Sequence, residues 1–164
     1  MFITQFLNNE CIIADIEASS KDEVLEILAR HASSLLSKDD LAKPQVDATE
    51  VLSVLKEREQ LGSTGIGGGV AIPHGKIKGI ERLFVLFARS LKGVPFDALD
   101  QKAVYAIFLL LAPEATSTAY LKILARISRL LKDKAVYNAL LKAKDAKELM
   151  EVIKNADRAL PLSI

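Results

Sequence analysis

A single cysteine, Cys11, stands in a chain of 164 residues. No intrachain disulfide can form, and no cysteine-ligated metal cluster can be built. The thiol is expected to pack as a small buried hydrophobe. Charge of either sign is not in excess: 22 Lys and Arg face 21 Asp and Glu, spread along the chain, for a net charge of +1. A constitutive nucleic-acid binder would gather a basic surplus on one face, so no nucleic-acid partner is expected. Long apolar runs are missing too. The longest, 103–112, is stopped by Pro113, whereas a membrane-spanning helix needs roughly 20 residues. "MFITQFLNNE" at the N-terminus has no positive region, apolar run and small-residue cleavage site in the order of a secretory signal. A cytoplasmic protein with no direct membrane insertion is the expectation. Histidine occurs only at His31 and His74, far apart and without H-E-x-x-H spacing, which leaves no metal-ligand set.

What is present is half apolar residues, enough to bury a sizeable core in one domain. Ser20 with Glu23, Asp47 with Glu50 and Asp145 with Glu148 have capping-box spacing and mark three helix starts. Val24, Leu25, Leu28, Ala32, Leu35 and Leu36 recur at helical period after the first. The second helix is expected to end near Leu61, where Gly62 stops it. A third, Thr118 to Lys132, is apolar on most sides, with Lys122, Arg126 and Arg129 as a narrow polar stripe. Two shorter helices are expected at about 134–143 and 146–155. Between them, "CIIADIEA" at 11–18, "GVAI" at 69–72, "LFVLFARSL" at 83–91 and "AVYAIFLLLA" at 103–112 are short apolar runs bounded by turn residues, which predicts strands. The last two show little polar alternation and suit strands covered on both faces. The fold class expected is α/β (α+β), a single domain with a mixed β-sheet flanked by helices on both faces.

"GSTGIGGGVAIPHGK", 62–76, packs six of the eight glycines around His74. It lacks the G-x-x-x-x-G-K-[ST] pattern, whose lysine reaches terminal phosphates and whose hydroxyl holds magnesium. Nor do Gly65, Gly67, Gly68 and Gly69 open a helix after a strand, as a dinucleotide fingerprint requires; they follow a helix and precede a strand. What remains is a histidine at a strand end. Pro73 lacks an N–H and should stop the ladder, presenting His74 at the sheet edge. An imidazole with a pKa of about 6.5 is largely neutral at pH 7 and can act as nucleophile or base. Glycine N–H groups, the hydroxyls of Ser63 and Thr64 and the guanidinium of Arg58 are donors suited to an anionic tetrahedral group, which favours phosphoryl chemistry. From these residues alone a purely structural histidine stays open.

"EREQLGSTGIGGGVAIPHGK" at 57–76 resembles the signature of the enzyme IIA proteins of the phosphotransferase system, of the fructose/mannitol type, the nitrogen-regulatory members above all. "IEASSKDEVLEILA" at 16–29 and "PFDALDQKAVYAIFLLLAPE" at 95–114 extend the likeness over nearly the whole chain. The resemblance implies a bacterial type-2 enzyme IIA domain at 1–157, followed by a C-terminal tail at 158–164. It implies a histidine that takes a phosphoryl group from phosphohistidine on a histidine-containing phosphocarrier protein, itself charged from phosphoenolpyruvate through enzyme I. His74 matches that residue. Arg58 matches the arginine that neutralises the phosphoryl oxygens, and Ser63, Thr64, Gly65 and Gly75 match the phosphate surroundings. Cofactors and metals are not implied. One position departs: many nitrogen-type relatives carry a second histidine where Tyr120 stands here. Tyr120 could donate a hydrogen bond, or simply pack with Ile123, Ile127 and Leu130. His31, on the face of Val24, Leu28 and Leu35, is expected to be buried or at a rim.

With no IIB domain or channel in the chain, the expected function is a phosphoryl carrier that regulates target proteins through its phosphorylation state. It would be a transferase component with a phosphohistidine intermediate, not a self-contained turnover enzyme. A sugar-uptake component that passes phosphate to a separate IIB protein is an alternative. So is a regulatory module that acts by contact alone. A hydrolase using His74 as general base would need a nucleophile elbow such as G-x-S-x-G, which is absent.

Overall fold

The computed structural model describes residues 1–38, 46–116 and 118–162. In chain order the elements are β1 (Ile12–Ile13), α1 (Lys21–Leu36), α2 (Ala48–Gln60), β2 (Gly65–Gly67), β3 (Val70–Ala71), β4 (His74–Ile77), β5 (Phe84–Val94), β6 (Val104–Pro113), α3 (Thr118–Lys132), α4 (Lys134–Lys142) and α5 (Ala146–Ala159). The sheet runs β1-β5-β6-β3-β2, with β4 also on β6. β5 and β6 are antiparallel, while β1 lies parallel to β5, and β3 and β4 lie parallel to β6. The mixed sheet follows. Consecutive residues of β5 and β6 are buried, because helices cover both faces. α1 and α2 pack on each other and reach β5 and β4, whereas α3, α4 and α5 pack together against β6, β5 and β1. Phe87 and Phe108, ring centroids 5.0 Å apart, sit in the middle of the core.

The expected helix starts are present. Ser20, Asp47 and Asp145 each accept a backbone N–H of the first turn. The returning acids reach one residue past the capping box: Glu23 accepts from the Ser19 N–H and Glu148 from the Lys144 N–H. Cys11 is buried. No helix of the described residues is long and apolar enough to cross a membrane.

Four expectations are corrected. The strand at 11–18 is only Ile12–Ile13. Beyond it the chain still hangs on β5, with the Ile16 N–H donating to the Arg89 carbonyl at 2.7 Å and Arg89 Nε to the Ala14 carbonyl at 2.9 Å, but a side chain in place of backbone breaks the ladder. Pro73 does not end the pairing. Its carbonyl accepts the Leu110 N–H at 3.0 Å, and the ladder resumes at His74, opposite Leu110. Arg126 is not part of a solvated stripe. It is buried, with Nε 2.6 Å from Asp157 Oδ1 and its other nitrogens on the carbonyls of Asp157, Leu160 and Pro161. The last helix does not stop near 155 but continues to Ala159, since Asp157 on its inner face is the acid that this arginine requires.

Candidate functional site

His74 opens β4, an edge strand whose one ladder partner among the described residues is β6. Its ring is half-buried, and each nitrogen has a defined neighbour. Nδ1 lies 2.7 Å from the Ile72 carbonyl oxygen. A carbonyl only accepts, so Nδ1 carries the proton and Nε2 is left with its lone pair. Arg58 Nε donates to that lone pair at 3.2 Å. Burial, foremost, holds the imidazole below its ordinary pKa, and the Arg58 charge acts in the same direction, while the Ile72 bond and Glu59 oppose them. The neutral, nucleophilic form is the one favoured at pH 7.

Arg58 reaches the ring because α2 lies close on β4. A Cβ on Gly75 would meet Val54 Cγ1 at 2.4 Å. Val54 and Arg58 are four residues apart, hence on one helix face, so contact at the first carries the second to His74. The guanidinium also donates through Nη1 to the Gly62 carbonyl at 2.8 Å, which caps α2 with the charge its C-terminus favours.

Tyr120, on α3, places its ring 6.0 Å from that of His74, tilted by 52°. Burial pushes its hydroxyl pKa up, so the phenol stays neutral. Lys76 Nζ stands 5.7 Å from the same ring. The tyrosine thus packs beside the histidine.

Ser63, Thr64 and Gly65 are tied to one another and to the segments beside their loop. Ser63 Oγ donates to the Phe96 carbonyl and accepts the Gly65 N–H, both at 3.0 Å. Thr64 is buried and gives both its N–H and its hydroxyl to the Glu59 carboxylate. Glu59 escaped the sequence reading, although it adjoins Arg58. Lys21 Nζ lies 3.4 Å from it and 3.2 Å from Asp97, so a buried carboxylate joins α1, α2 and the glycine loop. His31 has no part in this. It is at the rim of α1, with Nε2 2.9 Å from the Glu10 carbonyl oxygen.

Two cavities of about 390 and 410 Å³ open elsewhere on the molecule, and the site lines neither. Among the described residues no group of three or more His, Cys, Asp and Glu could hold a metal ion. Fold and geometry therefore define the class: an α/β domain with a half-buried histidine on an edge strand, its Nε2 lone pair turned to an arginine.

Comparison with known proteins gives the family. Residues 5–156 match the model of the phosphoenolpyruvate-dependent sugar phosphotransferase system EIIA 2 family, and the chain belongs to it. It is 39% identical over 153 residues to a nitrogen regulatory protein of Bradyrhizobium diazoefficiens, covering 93% of this chain and 95% of that one. To the nitrogen regulatory protein of Escherichia coli it is 33% identical over 156 residues, 94% and 91% of the two chains. The solved structure of nitrogen regulatory protein IIA-Ntr from Neisseria meningitidis superposes with a TM-score of 0.82 at 32% identity, covering 92% of this chain and 98% of that one.

Proposed function

We propose that this chain is a cytoplasmic phosphoryl carrier that accepts a phosphoryl group on Nε2 of His74 from the phosphohistidine of a small phosphocarrier protein. The observation that carries the reading is the pair of bonds on the ring. The Ile72 carbonyl holds the proton on Nδ1, and the Arg58 N–H marks the lone pair on Nε2. In the transfer, Nε2 attacks phosphorus in line with the donor's N–P bond; a new N–P bond forms as the old one breaks, and the donor imidazole keeps the electron pair. Positive charge grows on the His74 ring and is met by the Ile72 carbonyl. Arg58 turns from Nε2 to the phosphoryl oxygens, where its fork of donors matches the charge.

The phosphorylated form carries about two additional negative charges at the open edge. That change selects the protein bound next, and the likeness to nitrogen regulatory proteins supports a regulatory target over a IIB protein of sugar uptake. Ser63, Thr64 and Gly65 serve by shaping the loop, and Gly75 by letting α2 approach. Incubation with enzyme I, phosphocarrier and phosphoenolpyruvate tests the proposal. An acid-labile, base-stable phosphoprotein should form, with a phosphorus resonance of the Nε2 isomer, and His74→Gln should abolish it. Equal labelling of that variant would rule out the acceptor, and an unlabelled wild type would leave a contact-only module.

A further inference from the structure

A second site lies away from the histidine. A cavity of about 410 Å³ opens between the glycine hairpin of β2 and β3 and the junction of α3 with α4. Neither His74 nor Arg58 lines it. Ile66, Val70 and Leu131 supply an apolar surface, and the ring of Tyr137 stands beside them. The size falls in the range of small-ligand pockets.

The charged residues that line it are Lys132 and Lys134; no carboxylate does. Neither ammonium has an ion-pair partner among the described residues. Lys134 is also the first residue of α4, where the helix dipole disfavours a cation. Lys132 lies in the last turn of α3, where a helix favours a cation, whereas an anion beside Lys134 would offset the unfavourable placement of its charge. Tyr137 adds a hydroxyl that lies so close over Gly69 that a Cβ there would meet it at 2.0 Å. This hydroxyl and the side-chain amide of Asn138 hydrogen-bond to no described residue. An apolar surface, two lysines with no ion-pair partner among the described residues, Tyr137 and Asn138 thus line one space.

We propose that this cavity binds a small planar organic dianion, its flat body against Tyr137 and the apolar surface and its charged end between Lys132 and Lys134. Nucleoside monophosphates and aromatic dicarboxylates share this chemistry. The site does not depend on what His74 does, and its test reads binding alone. The full chain, labelled with ¹⁵N, is titrated with adenosine monophosphate and with benzene-1,3-dicarboxylate, while adenosine and inorganic phosphate each supply one half of the chemistry. At least one dianion should saturate with a dissociation constant below about 1 mM, shifting the amide signals of Gly67, Gly68 and Asn138. Lys132→Ala with Lys134→Ala, two exposed positions, should weaken it about tenfold or more, as should either half of the ligand. The idea fails if neither dianion binds by about 5 mM, if adenosine or inorganic phosphate binds as well as the dianions, or if the double variant binds unchanged.

Discussion

Val54 of α2 occupies the space that a side chain at Gly75 of β4 would need, with its Cγ1 2.4 Å from where that Cβ would lie. The contact sets how far the helix stands from the edge strand, and so whether Arg58, one turn on, touches His74. Gly75→Ala should push α2 outward, lower stability by about 1–3 kcal/mol and slow phosphoryl uptake. Adding Val54→Ala should restore much of both, and a double-mutant cycle of rates and unfolding energies measures the coupling. If uptake stays slow while stability recovers, the spacing argument is wrong.

Arg58→Ala should lower the initial rate of phosphoryl uptake by about 10²- to 10³-fold, the usual effect of removing a preorganised donor from a developing anion. Loss of the bond to Gly62 should cost only about 1 kcal/mol of stability. Arg58→Lys should fall between, since an ammonium cannot hold the ring, the cap and the phosphoryl group in one fork.

The lowered pKa of His74 fixes the direction of its pH dependence. Between the folded value and the ordinary value of about 6.5 the unfolded chain binds more protons than the native one. The contribution of this group to stability is therefore complete above about 6.5 and is lost as pH falls through the window beneath. Acceptor competence should persist across that window and decline only as pH falls through the folded value at its lower edge. A proton-detected ¹⁵N titration of the ring should show a midpoint below that of histidine in an unstructured peptide, with Nδ1 as the protonated nitrogen of the neutral form. A midpoint at or above the peptide value would contradict the buried, neutral ring.

Tyr120→Phe should leave phosphoryl uptake within about threefold of wild type, because the ring packs beside His74 while its hydroxyl donates no bond to it and net hydrogen-bond losses are small where no partner is stranded. Tyr120→Ala should cost about 1–2 kcal/mol, less than a fully buried aromatic. A large rate loss in the phenylalanine variant would give the hydroxyl a part in the transfer.

Asp157 accepts from Arg126 and from the N–H and hydroxyl of Thr4, which ties α5, α3 and the N-terminal segment together. Asp157→Ala strands a buried guanidinium and should destabilise by about 3–5 kcal/mol in urea unfolding. A loss under about 1 kcal/mol would mean that water reaches the arginine.

Parts of this molecule were legible because the cause is local. Ser20, Asp47 and Asp145 cap helices through bonds to residues two or three positions on, and the unbroken apolar runs of β5 and β6 announce strands covered on both faces. Other parts were not, because the cause is distant. β2 and β4 are made of Gly, Ile, His and Lys, and only pairing with β3 and β6 makes them strands. Arg126 reads as a surface charge until Asp157, 31 residues away, comes beneath it.

The chain alone announced a helix-covered mixed sheet, and its resemblance to the enzyme IIA proteins singled out a histidine framed by glycines, with an arginine sixteen residues before it, as the candidate centre. The tertiary structure decided which ring nitrogen is free, that Gly75 leaves room for Val54, and that the hydroxyls of Ser63 and Thr64 are spent on the Phe96 carbonyl and the Glu59 carboxylate. Those are matters of distance between segments joined only by folding, and a linear order of residues does not specify which carbonyl a given N–H will meet.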